Sequence, residues 1–117
     1  MDAARLSALR DELMRQRGHL RAEIQTQGAD PDSDDVTFAQ DAGFADRSHT
    51  TEERSRLISV VRALRSNLLD VDRALAKMDA GTYGICERCG HPISPERLEA
   101  LPWAMLDIDC KHKADAR

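Results

Sequence analysis

Apolar residues recur along the second half of the chain at alternating steps of four and three. The positions are Leu57, Val61, Leu64, Leu68, Val71, Leu75 and Met78. A seven-residue repeat that continues for three heptads is typical of a coiled-coil seam. It predicts one helix of about 30 residues, roughly 45 Å long at 1.5 Å per residue. Thr50 and Glu53 form a capping-box pair that predicts where this helix begins, and Gly81 marks its end.

A second apolar stripe predicts a helix over residues 3–27, before the heptad segment. It consists of Leu6, Leu9, Leu13, Leu20 and Ile24, and Gly28 is the expected stop. Residues 28–49 then change character, with six aspartates and no lysine or arginine between Arg21 and Arg47. Their composition predicts an acidic loop with one short helical turn near residues 36–40.

These elements predict a mainly α fold, an antiparallel coiled-coil hairpin with the acidic segment at its tip. The segment after Gly81, which contains a CxxC pair and a third cysteine, is expected to add a small zinc-ribbon-like globular base and a short C-terminal helix. The expected parts are residues 1–80, the hairpin with its tip loop at 28–49, and residues 81–117, the base. The matching stripe on the first helix favours pairing within one chain and a monomer, while pairing of the heptad seam with a second copy is the alternative.

Composition narrows the functional classes. The chain has 117 residues, a net charge of −4 and only 3% aromatic residues, which suits exposed helices around a small core. Duplex binding needs a basic surface, so the charge argues against direct DNA recognition and favours a protein partner. Neither a signal peptide nor a membrane-spanning run is evident, and an odd cysteine count with one CxxC pair fits the cytoplasm.

The candidate chemistry lies between Gly81 and Lys113, where all three cysteines occur. Cys86 and Cys89 form a CxxC knuckle followed by Gly90, whose freedom at positive φ suits a tight metal-binding turn. Cys110 supplies a third thiol. Zinc takes four tetrahedral ligands from cysteine, histidine or carboxylate side chains. Asp107, three residues before Cys110, is the first candidate for the fourth ligand; the substitutes are His112, His91 and Asp109.

Other interpretations of this segment stay open at the level of sequence. A metal-free base could be held by packing of Tyr83, Ile85, Ile93, Leu98 and Trp103. A redox switch could operate through Cys86 and Cys89. Ser94 and Pro95 predict a short helix that ends before Pro102. No constellation of catalytic residues is present, so the sequence does not predict an enzyme.

The base, the heptad helix and the acidic tip together resemble the DksA/TraR family of bacterial RNA polymerase-binding transcription factors. The residues that carry the resemblance are Gly81-Thr-Tyr-Gly84, Cys86-Glu-Arg-Cys89-Gly90, Ile93, Arg97-Leu-Glu-Ala100, Pro102 and Cys110-Lys111. The family pattern C-x2-C-x17-C-x2-C falls on Cys86, Cys89, Asp107 and Cys110, so its third cysteine is replaced here. The resemblance implies a zinc finger whose fourth ligand has become Asp107.

The resemblance also implies a mechanism, in which the hairpin enters the secondary channel of RNA polymerase and its tip acts near the active centre. The family's tip motif, D-x-x-D-x-A, falls on Gly43, Asp46 and Ser48, so half of it is kept. Asp46 and Arg47 are then the expected tip pair, with Phe44 and Ser48 shaping the tip.

Binding of the alarmone ppGpp is the least transferable implication. Family members use basic side chains at positions that match Asp70, Leu101 and Lys111 here, and only Lys111 is basic. The resemblance therefore implies a weak response to ppGpp. A structural adaptor that binds another protein through the coiled coil, and the thiol switch above, are the competing functions.

Overall fold

A computed structural model describes residues 1–33 and 50–116. Within these residues the chain forms four helices: α1, Ala3–Thr26; α2, Thr51–Ala80; α3, Pro95–Ala100; and α4, Ile108–Asp115. The predicted helical turn at 36–40 and most of the acidic loop lie outside the described residues. None of the helices in the described part combines the length and apolar character needed to cross a membrane.

The predicted limits of the two long helices are confirmed. The stripe at 3–27 corresponds to α1, and the heptad segment corresponds to α2 with 30 residues. Both halves of the capping box are present at the start of α2. The Glu53 amide donates to Thr50 Oγ1 at 3.1 Å, and the Thr50 amide donates to Glu53 Oε2 at 3.3 Å. These bonds satisfy two amide donors that a helix start leaves free.

Glycines in the left-handed region end both long helices. Gly28 has a φ of 85°, and its amide donates to the carbonyl of Gln25 at 2.9 Å. The next amide, that of Ala29, reaches back to the carbonyl of Ile24 at 3.1 Å. This pair of bonds is the Schellman arrangement, which needs a residue that tolerates positive φ. Gly81 ends α2 in the same way, with a φ of 77°.

The chain divides into two compact units. One contains Met1–Gln16 and Asp70–Arg117, and the other contains Arg17–Leu69. In the second unit, the end of α1 packs on the first half of α2 around a buried cluster of Ile24, Ala29, Val61 and Leu68. In this unit, the seam of α2 is therefore covered by α1 of the same chain. Pairing with a second copy of the chain, the alternative arrangement, is not required to bury these seam residues.

Two arginines of the second unit fix the segment that follows α1. Arg21 pairs with the carboxylate of Asp32 at 2.8 Å. Arg65, on α2, donates to the backbone carbonyl of Asp30. Both helices thus hold residues 30–32, near the start of the acidic segment.

The first unit contains the N-terminal half of α1, the C-terminal part of α2 and the base. Its buried apolar side chains come from all three parts, namely Leu9, Leu13, Val71, Ala74, Leu75, Met78, Ile93 and Leu98. Arg10 of α1 pairs with Asp79 near the end of α2 at 2.8 Å, an antiparallel placement. The mainly α fold with a helical hairpin is confirmed, since early residues of α1 meet late residues of α2.

A local helix cap and two longer-range hydrogen bonds shape the base. Ser94 caps α3, accepting a hydrogen bond from the Arg97 amide at 3.3 Å, and Pro95 occupies the first turn. Arg97 then donates from Nε to the carbonyl of Leu106 at 2.9 Å. The Tyr83 hydroxyl donates to the carbonyl of Pro102 at 2.8 Å, and burial raises the pKa of Tyr83 to about 12. These bonds tie the irregular segment after α3 to the rest of the base.

Replacement of Gly18 by alanine should stabilise the protein. Gly18 lies exposed within α1, and a Cβ placed there meets nothing within 4 Å. Alanine is favoured over glycine inside a helix by about 0.5–1 kcal/mol. Chemical denaturation followed by circular dichroism should show a free energy of unfolding higher by about that amount.

Gly81→Ala is the matched control for Gly18→Ala. It also meets no neighbour, but its φ of 77° disfavours any side chain, by roughly 1–2 kcal/mol. The same denaturation measurement should therefore show a loss of stability. If Gly18→Ala also destabilises the protein, α1 is not a continuous helix through residue 18.

Candidate metal centre

The first half of the candidate site is the knuckle at Cys86 and Cys89. The Cys86 amide donates to the carbonyl of His91, and the Gly90 amide donates to the carbonyl of Cys86, both at 2.9 Å. Gly90 makes this turn with a φ of 78°. The knuckle is closed by an isolated antiparallel bridge between Ile85 and Pro92. This tight turn brings the two thiols to one side of the loop, as the CxxCG pattern predicts.

The second half of the site lies at the N-terminus of α4. Asp107 is the N-cap of this helix, and its Oδ1 accepts a hydrogen bond from the Cys110 amide at 2.7 Å. Its other oxygen, Oδ2, accepts from Cys89 Sγ at 3.0 Å. Cys110 itself is buried in the first turn of α4. The spacing D-x-x-C therefore follows from helix capping, because the cap and the third residue after it face each other.

Four side chains converge on one point: Cys86, Cys89, Asp107 and Cys110. Their candidate ligand atoms all lie within 4.8 Å of one another. A tetrahedral zinc ion with bonds of about 2.3 Å to sulfur separates its ligand atoms by roughly 3.8 Å. The group therefore fits zinc with inward movements of the side chains of no more than about 1 Å. Three thiols and one carboxylate are also a donor set that zinc accepts.

The other candidates for the fourth ligand do not join this group. His91, Asp109 and His112 are all exposed, and among the described residues the ligand group around the thiols contains only Asp107 besides the cysteines. The structure gives less support to a metal-free base held by packing, because not all of the side chains expected to pack are buried. Ile93 and Leu98 are buried, but Ile85 is exposed on the outside of the knuckle.

Asp107 is ionised in this environment. Hydrogen bonds from the Cys89 thiol, and next from the Cys110 amide, lower the pKa of Asp107 to about 2. The helix N-terminus also favours a negative charge at the cap position. The carboxylate thus meets the condition that a metal ligand be deprotonated.

The three thiols differ because their surroundings differ. Burial alone would raise the pKa of Cys86, but hydrogen bonds from backbone amides, first that of Asp107 and then that of Cys89, lower it to about 6. Burial, and then the nearby Asp107 carboxylate, raise the pKa of Cys110 to about 12. The hydrogen bond to Asp107 raises the pKa of Cys89. A bound cation reverses this local balance, because its charge favours all three thiolates.

Ion pairs that the sequence analysis missed join the knuckle to α2. Glu87, between the two cysteines of the knuckle, accepts from Lys77 at 3.2 Å and lies 3.6 Å from Arg73. Lys77 also donates to the carbonyl of Ile85 at 3.4 Å. Arg73 and Lys77 are four residues apart and so lie on one helix face, which was the sign in the sequence of a basic site on α2. Nothing local to the sequence shows that Glu87 lies opposite them.

Among the other predicted site residues, Lys111 is described by the structure and is not part of this group. Phe44, Asp46, Arg47 and Ser48, the predicted tip, lie outside the described residues. Lys111 is exposed on α4 and pairs with Asp115 at 3.3 Å. Its assignment to ppGpp remains a prediction.

Comparison with known proteins agrees with this geometry. Residues 81–116 match the family described as the prokaryotic dksA/traR C4-type zinc finger. General stress protein 16O of Bacillus subtilis is 33% identical over 87 residues, which cover 74% of this chain and 53% of that protein. The RNA polymerase-binding transcription factor DksA of Escherichia coli is 34% identical over 122 residues, covering 100% of this chain and 76% of that protein.

The chain belongs to the DksA/TraR family. The solved structure of transcription factor DksA2 from Pseudomonas aeruginosa matches it with a TM-score of 0.75 and 31% identity, covering 100% of this chain and 88% of that one. The chain spans about half the length of several curated relatives that it matches. The prediction of zinc binding is confirmed by the match to a zinc-finger family and by the group of four candidate ligands in the base.

We propose Cys86, Cys89, Asp107 and Cys110 as the zinc ligands of this DksA/TraR protein. Protein purified without chelator should contain one zinc per chain by elemental mass spectrometry. Cys86→Ser should lose the metal and unfold at lower temperature, because zinc that binds only the folded state stabilises it.

Ser94→Ala is the control for Cys86→Ser. It removes a cap in the same base without touching a ligand, so zinc content should be unchanged. Absence of stoichiometric zinc from the unmodified protein, or its retention in Cys86→Ser, would contradict this ligand set.

Proposed function

We propose that this protein regulates transcription by binding RNA polymerase. The observation that carries the proposal is its likeness to E. coli DksA, named as an RNA polymerase-binding transcription factor, along the whole of this chain. The fold supports it, since the helical hairpin and the four-residue metal group are both present in the described part. Because the polymerase is an intracellular enzyme complex, the protein would act in the cytoplasm.

The proposed route of action is the secondary channel of the polymerase. The segment between α1 and α2 would enter this channel, with Asp46 and Arg47 near the active centre and Phe44 and Ser48 shaping the contact. The acidic composition of residues 28–49 supports this, because carboxylates are attracted to a basic, metal-containing cavity. Arg21 and Arg65 support it too, since they hold residues 30–32 near the start of this segment.

In this proposal the protein is not an enzyme and does not bind DNA in a sequence-specific manner. Its net charge of −4 provides no general attraction to the phosphate backbone. Residues 1–80 would contact the channel, and residues 81–117 would hold the hairpin and dock on the rim. The seam between α1 and α2 is buried within one chain, which supports a monomer as the active form.

Asp46→Asn should separate binding from activity. The substitution removes one charge at the proposed tip, so the protein should still co-purify with RNA polymerase but lose its effect in a purified transcription assay. Asp11→Asn is the charge-matched control on exposed α1 surface and should behave as the unmodified protein. Failure of the unmodified protein to co-purify with polymerase would instead favour the structural adaptor.

The response to ppGpp should be weak. At the three positions that the family resemblance assigns to ppGpp, this chain has Asp70, Leu101 and Lys111. A carboxylate at Asp70 repels a polyanion rather than binding it. Adding ppGpp to the purified transcription assay should therefore leave the protein's effect unchanged, and Lys111→Ala should not alter this result. A strong ppGpp-dependent shift that Lys111→Ala abolishes would contradict the prediction.

A further inference from the structure

The two carboxylate oxygens of Asp107 have different partners. Oδ1 accepts from the Cys110 backbone amide at 2.7 Å, which caps α4. Oδ2 lies 3.0 Å from Cys89 Sγ and belongs to the group of candidate ligand atoms. One side chain therefore faces the helix N-terminus with one oxygen and the thiols with the other.

We propose that Asp107 performs two separable tasks, with Oδ1 capping α4 and Oδ2 acting as the fourth ligand of the zinc. The geometry supports binding through one oxygen only, because Oδ1 is already engaged by an amide that the first turn of α4 leaves without another acceptor. The hydrogen bond from Cys89 would be replaced when that thiol gives up its proton and both groups bind the metal.

The chemistry of the carboxylate allows this exchange for a thiol. Three thiolates and one carboxylate carry the same formal charge as four thiolates. The charge of the site with zinc bound is therefore the same for both ligand sets. Aspartate is also among the preferred N-cap residues, and its short side chain places an oxygen within reach of the capped amide. The site thus keeps its charge, accepts a harder donor and gains a helix cap.

Order in α4 would then depend on the Asp107 cap and on the metal. The helix has only eight residues, which is too short for stability without tertiary support. Asp107 supports it directly through the cap, and Cys110, in its first turn, would support it through the metal. The prediction is that the ligand can be removed while the cap is kept, since the two functions use different oxygen atoms.

The test compares Asp107→Asn with Asp107→Ala and with the control Asp109→Asn. Asparagine is as good a cap as aspartate, but its neutral amide is a poor zinc ligand. Asp109 is exposed in the same helical turn and lies outside the ligand group. Two quantities are measured: zinc affinity by competition with a chromophoric chelator, and hydrogen exchange of the Cys110 amide in metal-free protein by NMR.

Asp107→Asn should bind zinc at least about tenfold more weakly, since loss of even an outer-shell partner costs about 10–100-fold. Its Cys110 amide should stay as protected as in the unmodified protein. Asp107→Ala should lose both zinc affinity and that protection, while Asp109→Asn should keep both. The Leu98 amide, bonded to the Ser94 carbonyl at 3.1 Å in α3, serves as internal reference for an intact base.

Three results would overturn the proposal. Unmodified zinc affinity in Asp107→Asn would show that Oδ2 is not a ligand. Loss of Cys110 protection in Asp107→Asn, to the level of Asp107→Ala, would show that the tasks are not separable. An equal loss of affinity in Asp109→Asn would show that only the charge of the turn matters.

Cobalt substitution gives a second readout that does not depend on affinity. Charge-transfer absorption between thiolate and cobalt increases with the number of bound thiolates. Asp107→Cys should therefore absorb more strongly per bound Co²⁺ than the unmodified protein, while its Cys110 amide exchanges faster without metal because the cap is lost. Equal absorption in the two proteins would contradict ligation through residue 107. Neither outcome depends on RNA polymerase, so failure here is distinct from failure of the proposed function.

Discussion

The base of this protein depends on the convergence of Cys86, Cys89, Asp107 and Cys110. Helices α3 and α4 have six and eight residues, and helices of that length are not stable by themselves in water. Leu98 and Ile93 give the base a small buried core. A metal bound by the converging side chains adds its binding energy to folding. The base can therefore be small because its two halves are joined at one point.

Contacts of different strength connect this base to the long helices. The ion pairs of Glu87 with Lys77 and Arg73 are partly exposed, and exposed pairs contribute about 0–1 kcal/mol each. The buried residues near the end of α2, such as Leu75 and Met78, contribute more through the hydrophobic effect. The ion pairs are better regarded as fixing the orientation of the knuckle, while apolar burial supplies most of the stability.

The replacement of a cysteine by Asp107 agrees with a supporting role for the metal. A site that holds two chain segments together needs four donors and a suitable charge, and a capping carboxylate can supply the fourth donor with the same charge as a thiolate. The proposed contact with RNA polymerase uses a different part of the chain, the acidic segment, whose first residues are held by Arg21 and Arg65. Change in the donor set and change at the proposed contact can thus occur separately.

The sequence by itself determined the limits of α1, α2 and α3, because helix caps and stops depend on residues within about one turn of each other. It predicted a short C-terminal helix but not that Asp107 caps it. The capping box at Thr50, the stops at Gly28 and Gly81, and the heptad seam of α2 were all predicted in this way. The resemblance carried by the cysteine spacing likewise identified the DksA/TraR family and zinc.

Tertiary structure decided the questions that involve residues far apart in the chain. The cysteine spacing made Asp107 the first of four candidates for the fourth ligand, ahead of His91, Asp109 and His112. Among the described residues, the folding of the knuckle against α4 brings Asp107 alone of these four to the three thiols. Tertiary structure likewise decided which helix covers the α2 seam and that Glu87 lies beside Lys77. A sequence pattern records which groups are available, whereas a metal site and a helix pair require distances that only the folded chain fixes.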